Sequence, residues 1–203
     1  MLLTRIQSLR FCMAGKQAKI LSDLQIAAVL RYADQTRYPA RNRVIVLLSA
    51  KAGLRAGEIA NLTWDMIVGP AGELATSIAL RDSAAKYGGG RTIPVHLDLR
   101  AALKVLASRG RLNGPVIESE RGGSMTPLSI VVWFNKAFKK VSLVGCSSHS
   151  GRRTFITRAA RLIYKAGGSL RDVQILAGHR SIQTTQRYID GDSDAQRRLV
   201  ALI

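Results

Sequence analysis

Three short stretches hold the residues best suited to chemistry. Gly53-Leu54-Arg55-Ala56-Gly57-Glu58 ends an apolar run at a glycine and sets an arginine at the turn into the next helix. His149-Ser150-Gly151-Arg152 places a histidine and an arginine three apart; at a helix start both then share one face, where free backbone N–H groups also favour an anion. Gly178 closes a helix before His179, Ser181 can cap the next, and Tyr188 follows His179 by nine residues. Lys86 stands beside Gly88, Gly89 and Gly90, with no other lysine between Lys51 and Lys104. Taken singly, each stretch has an ordinary reading: a solvated corner arginine, a basic helical face, a half-buried core tyrosine. Taken together, the residue types match what phosphodiester transfer requires. That chemistry needs an attacking oxygen, a proton acceptor, a donor for the leaving oxygen, and positive charge on a dianionic transition state. Guanidinium forks match two phosphate oxygens and stay charged. A phenol with a pKa of about 10 is a poor nucleophile at neutral pH, and neighbouring cations favour its phenolate.

The elements that must position these residues are mostly helices. Ser22-Asp23 caps a helix through about Tyr32, and Pro39 begins another that runs through Val44–Leu48 and stops near Gly53. A short third helix is expected over Ala56–Trp64. Leu74–Leu80 and Arg91–His96 read as two strands of a hairpin whose long tip holds Lys86. Further helices are expected at about Asp98–Ser108, Thr126–Val141, Gly151–Ala166, Leu170–Ala177 and Ile182–Ile189, with a last amphipathic piece over Ala195–Ile203. The fold class is mainly α with a small antiparallel β-sheet. Residues 1–15 form an extension, 16–190 one domain, and 191–203 a tail.

Composition narrows the partner. The chain carries 31 Lys and Arg against 13 Asp and Glu, a net charge of +18, with the excess in both halves. Such self-repulsion in a folded chain points to a polyanion, with nucleic acid ahead of an anionic membrane or a ribosome-like scaffold. No apolar run reaches the roughly 18 residues of a membrane span. Met1–Cys12 is interrupted by Arg5 and Arg10 and does not read as a signal peptide. Cys12 and Cys146 make no disulfide framework, which fits a reduced cytoplasmic protein. His96, His149 and His179 lack the spacing of a metal site, so no metal is expected.

The motifs in this order resemble the tyrosine recombinase, or phage integrase, family, over about residues 16 to 190. The resemblance implies that family's catalytic-domain fold and a site-specific recombinase that cleaves and rejoins DNA through a 3′-phosphotyrosyl link, without cofactor or ATP. It implies that Arg55 and Arg152 clamp the scissile phosphate and that Lys86 protonates the leaving 5′ oxygen. His149 and His179 assist proton transfer, Glu58 supports the pocket by orienting a basic neighbour, and Tyr188 is the nucleophile. Arg153, Arg180 and Arg91 are expected to contact DNA. The implied partner is double-stranded DNA, held by four protomers in the synapse. Residues 195–203 either dock on a neighbouring protomer or pack on their own domain. Two departures stand out: Arg153 replaces a common second histidine, and Ala177 a common leucine. Family members usually carry an N-terminal DNA-clamping domain, and little precedes the catalytic part here. A DNA-binding accessory protein that no longer cuts, or a nicking–closing enzyme of the type IB topoisomerase kind, would share much of this pattern.

Overall fold

The computed structural model describes residues 17–85, 88–110, 112–188, 200, 201 and 203. Helix α1 (Asp23–Asp34) starts on a reciprocal cap: the Ser22 hydroxyl accepts the Gln25 N–H, and the Gln25 side chain accepts the Ser22 N–H. Helix α2 (Pro39–Lys51) opens on Pro39, whose missing N–H is no loss in a first turn. Every residue of α2 from Val44 to Ala50 is buried. A helix without a polar face must be surrounded, and α1, α4 (Leu97–Ala107) and α6 (Ser150–Leu162) pack around it. The short α3 (Ala56–Ala60) lies against α5 (Pro127–Lys140).

Strands β1 (Ser77–Leu80) and β2 (Arg91–Pro94) pair antiparallel, Ser77 opposite Pro94 and Leu80 opposite Arg91. A two-stranded ribbon is marginal alone. Buried Ile78, Leu80 and Ile93 fasten this one to the main core. A second, smaller core joins α6 to α7 (Leu170–Ala177) through Ile156, Ala160, Val173 and Ala177. The short α8 (Ile182–Gln186) follows α7 and leads to Tyr188, which packs on that second core. The residues entering α1 are tied to α6: the Leu21 N–H donates to Thr154 Oγ1 at 2.8 Å, and Arg158 bonds Leu21 O and Asp23.

Three elements differ from the sequence expectation. The third helix stops at Ala60 instead of reaching Trp64, which opens a 3-10 turn (Trp64–Met66). The Trp64 N–H goes to Gly114 O and the Val116 N–H to Leu62 O, so bonds to a distant segment replace helical ones. The first strand begins at Ser77, because Leu74 pairs instead with Val68. The helix expected over Gly151–Ala166 ends in a 3-10 turn (Ile163–Ala166). The 1–15 extension, Lys86, and all but residues 200, 201 and 203 of the expected tail lie outside the described residues.

Gly53 shows how tightly the α2–α3 corner is built. Its φ is +66°, and an added Cβ would collide with the Phe155 ring on α6. Gly53→Ala should therefore cost about 1–3 kcal/mol from backbone strain alone, read as a lowered urea midpoint. An unchanged midpoint would mean that the corner tolerates a side chain.

Candidate active site

The corner after α2 delivers Arg55. Leu54 is fully buried and its N–H reaches back to Leu48 O, so Arg55 is left as the N-cap of α3. Glu58, three residues on and 1% exposed, receives the Arg55 N–H at 2.9 Å on Oε2 and the Arg55 guanidinium at 2.7 Å on Oε1. Arg91, the first residue of β2, completes the arrangement. Its Nη1 and Nη2 lie 3.1 and 3.0 Å from the two Glu58 oxygens, and its Nε donates to Leu176 O at 2.8 Å. Burial by itself would raise the Glu58 pKa. The Arg91 hydrogen bonds and charge, with those of Arg55, outweigh it and hold the carboxyl below its ordinary value. Glu58 is thus an ionised hub joining two elements.

Helix α6 delivers His149 as its N-cap and Arg152 in its first turn. Arg152 is 3% exposed. Its Nη1 donates to Gly53 O at 2.5 Å, and its Nη2 to Ala177 O at 2.6 Å and to His179 Nε2 at 3.1 Å. Burial, then the nearby Arg55 charge, lowers its pKa to about 10, so it remains charged at neutral pH. The carbonyls that hold Arg152 are those at the ends of α2 and α7, so helix termini locate the guanidinium. Gly178 ends α7 with φ +61°, and an added Cβ would lie 2.8 Å from Arg91 Nη1. That left-handed turn brings His179 over Arg152.

His179 has a defined tautomer. Arginine can only donate, so His179 Nε2 accepts from Arg152 and Nδ1 carries the proton, donated to buried Thr185 Oγ1 at 3.0 Å. Burial first, then the charges of Arg152, Arg55 and Arg91, lower the His179 pKa to about 4. With the folded value below the unfolded 6.5, the unfolded chain takes up the proton first as pH falls. His179 therefore costs nothing above about pH 6.5, subtracts stability progressively down to about pH 4, and subtracts nothing further below that. In imidazole ¹⁵N NMR of the DNA-free protein, Nε2 should stay unprotonated down to about pH 5; titration near 6.5 would contradict this geometry.

Tyr188 stacks its ring on His179, with centroids 5.5 Å apart and planes at 23°. It lines a cleft of about 390 Å³ together with His149, Arg152, Arg153, Thr184 and Arg187. Arg55, Glu58 and His179 back this cleft through Arg152 instead of lining it. Arg55 and Arg91 both bond the Glu58 carboxylate, and Arg152 lies within reach of its charge, so three arginines face one carboxylate and leave net positive charge suited to a bound phosphate. A larger hollow, about 500 Å³, lies at the other end of α2 around Tyr38, Arg41 and Trp64, and none of the predicted site residues lines it. Size therefore does not single out the cleft at Tyr188.

Arg180 is exposed just after His179. Arg91 corrects an expectation. Sequence reading expects it to contact DNA, yet its side chain is 3% exposed and its donors are spent on Glu58 and Leu176 O. It belongs to the support of the site. Three residues escape the sequence reading: Thr185, which fixes the His179 ring; Gln174, whose Nε2 donates to His179 O at 2.9 Å; and Arg187 in the cleft. Only Arg187 left a signal, a cation adjoining the tyrosine. Among the described residues, no group of three His, Cys, Asp or Glu is placed to hold a metal, and no helix is long and apolar enough to cross a membrane.

The sequence pattern of the phage integrase family matches residues 19–194. The chain belongs to the phage integrase family. Among the relatives of this integrase-family chain, tyrosine recombinase XerC of Myxococcus xanthus is 30% identical over 182 residues, covering 84% of this chain and 57% of the relative. Tyrosine recombinase XerD of Mycobacterium tuberculosis is 31% identical over 157 residues, covering 73% and 47%. The chain thus spans about half the length of these curated relatives. The fold is shared with the XerA recombinase crystal structure, at a TM-score of 0.71 and 22% identity over 93% of this chain and 64% of that one. It is shared also with a λ integrase dimer bound to a COC′ core site, at 0.67 and 20% over 91% and 51%.

Proposed function

We propose that this integrase-family chain supplies the catalytic domain of a site-specific DNA recombinase that cuts with Tyr188. The observation that carries this reading is the shared cleft, in which Tyr188 from the end of α8 meets His149 and Arg152 from α6. The Tyr188 oxygen attacks the scissile phosphorus, the P–O bond to the 5′ oxygen breaks, and that oxygen leaves with a proton from Lys86. Arg55 and Arg152 carry the charge of the transition state, while His149 and His179 assist proton transfer. The phosphotyrosine keeps the bond energy, so a 5′-OH from a second strand can displace the phenol without ATP. The partner is double-stranded DNA, and four protomers around two duplexes would act in pairs. A DNA-bound neighbour of the same fold supports the DNA part of this reading. The site of action would be the cytoplasm.

The test is a nicked suicide duplex carrying the cognate site. Wild type should form a covalent adduct through a 3′-phosphate on Tyr188, leaving a free 5′-OH. Lys86→Ala should slow this by about a hundredfold, as loss of a general acid does, and a 5′-bridging sulfur, which leaves without a proton, should restore the rate. No adduct on any cognate duplex would overturn the assignment.

A further inference from the structure

Among the described residues, the side chains of Arg153 and Arg187 have no part in the pocket's internal bonding. Both line the cleft with Tyr188, and among the described residues neither pairs with a carboxylate. Arg153 Nε is buried and has no hydrogen-bond partner there. A guanidinium without a partner at the wall of an open cleft is suited to an anionic ligand.

Helical geometry sets Arg153 apart from Arg152. Arg152 and Arg153 are consecutive on α6, so they leave the axis about 100° apart and do not face one another. The fork of Arg152 is turned inward toward Gly53 O, Ala177 O and His179, under the place where the scissile phosphate would lie. Arg153 reaches the same cleft from another direction. Arg187 comes from a different element, just past the end of α8 and three residues after Thr184, which lines the cleft too. The space is also larger than one phosphate group needs: about 390 Å³, against roughly 30 Å³ for a single water. Successive phosphates of a strand follow at about 3.4 Å of rise, so a strand that presents one phosphate to Arg152 carries the next along the cleft.

We propose that Arg153 and Arg187 form a second phosphate subsite, which grips the backbone phosphate next to the scissile one and, through Arg187, positions the adjoining Tyr188. This rests on the DNA-cleaving reading of Tyr188 and adds a recognition element to it. Arg153 binds the strand. Arg187 is a positioning residue as well, because a phosphate held by residue 187 restrains the backbone that carries residue 188. The subsite reads no base, so it contributes affinity and alignment without sequence preference.

The experiment uses the full chain and suicide duplexes in which each phosphate flanking the scissile one is replaced, one at a time, by an uncharged methylphosphonate. At one flanking position the replacement should slow wild-type adduct formation about tenfold. Arg187→Gln should slow the unmodified duplex by a similar factor, and the two changes together should add nothing further. A merely structural role for Arg187 would give effects that multiply at every position, and that result overturns the subsite. Noncovalent binding is measured separately against salt. The Arg153→Gln/Arg187→Gln double variant should lower the slope of log K against log salt by about one, for the one phosphate no longer neutralised. An unchanged slope overturns the subsite whatever the adduct assay gives. Wild type that binds DNA with the expected slope difference but forms no adduct sinks the cleavage reading instead.

Discussion

Tyr188→Phe should remove the covalent DNA adduct completely while leaving the fold and noncovalent DNA affinity near wild type. The expectation follows from what the side chain touches. Its ring packs on the second core and stacks on His179, and both contacts belong to carbon atoms that phenylalanine keeps. The change removes one oxygen, the atom that would bond to phosphorus. Loss of a single part-exposed hydroxyl costs about 1 kcal/mol or less, or roughly 2–4 °C in Tm for a chain of this size. A denaturing gel of the suicide reaction should show no shifted band, and a binding assay on the same duplex should show a Kd within about threefold of wild type. A surviving band would move the nucleophile elsewhere. Position argues against two rivals: Tyr38 lies at the far end of α2, and Tyr164 sits on an exposed turn, 69% accessible.

Local chemistry made much of this protein readable from its sequence. Ser22 with Gln25, Pro39 at a first turn, and the glycines at 53 and 178 each act within a few residues, and the helices they bound begin and end close to expectation. The motif residues were legible because spacing along one helix fixes a face. Long-range partners were not. Glu58 meets Arg91 across 33 positions of sequence, and Arg152 meets Gly53 O across 99. An arginine beside a glycine-rich tip looks solvated until the hairpin folds it onto a buried carboxylate, which is why Arg91 reads as a DNA contact. Thr185 is the same case in reverse, because an ordinary threonine in a short helix becomes the group that fixes a tautomer. The helix expected to reach Trp64 failed for a related reason: bonds to residues 114–116 took its backbone groups.

Glu58 carries the largest expected stability effect. Glu58→Ala leaves Arg91 with its charge buried and its two carboxylate contacts gone, and it frees the Arg55 N–H. Removing one partner of a buried pair costs about 3–5 kcal/mol, because the remaining charge keeps its desolvation penalty. At 2–4 °C per kcal/mol this is a fall in Tm on the order of 10 °C. The effect also has a pH signature. The Glu58 carboxyl is held below its ordinary 4.5, so its contribution is present in full above that value and fades as pH falls through the lowered one. The gap between wild type and Glu58→Ala should therefore narrow in acid. Stability and chemistry then separate in a double variant. Glu58→Met with Arg91→Met replaces the pair by apolar groups and should recover most of the lost stability, since such a swap is often neutral or better. Adduct formation should stay low, because Arg55 has lost the carboxylate that holds its guanidinium. A double variant as active as wild type would show that Glu58 serves only to balance Arg91. A double variant as unstable as Glu58→Ala would show instead that the corner depends on the Arg55 cap and not on the buried ion pair.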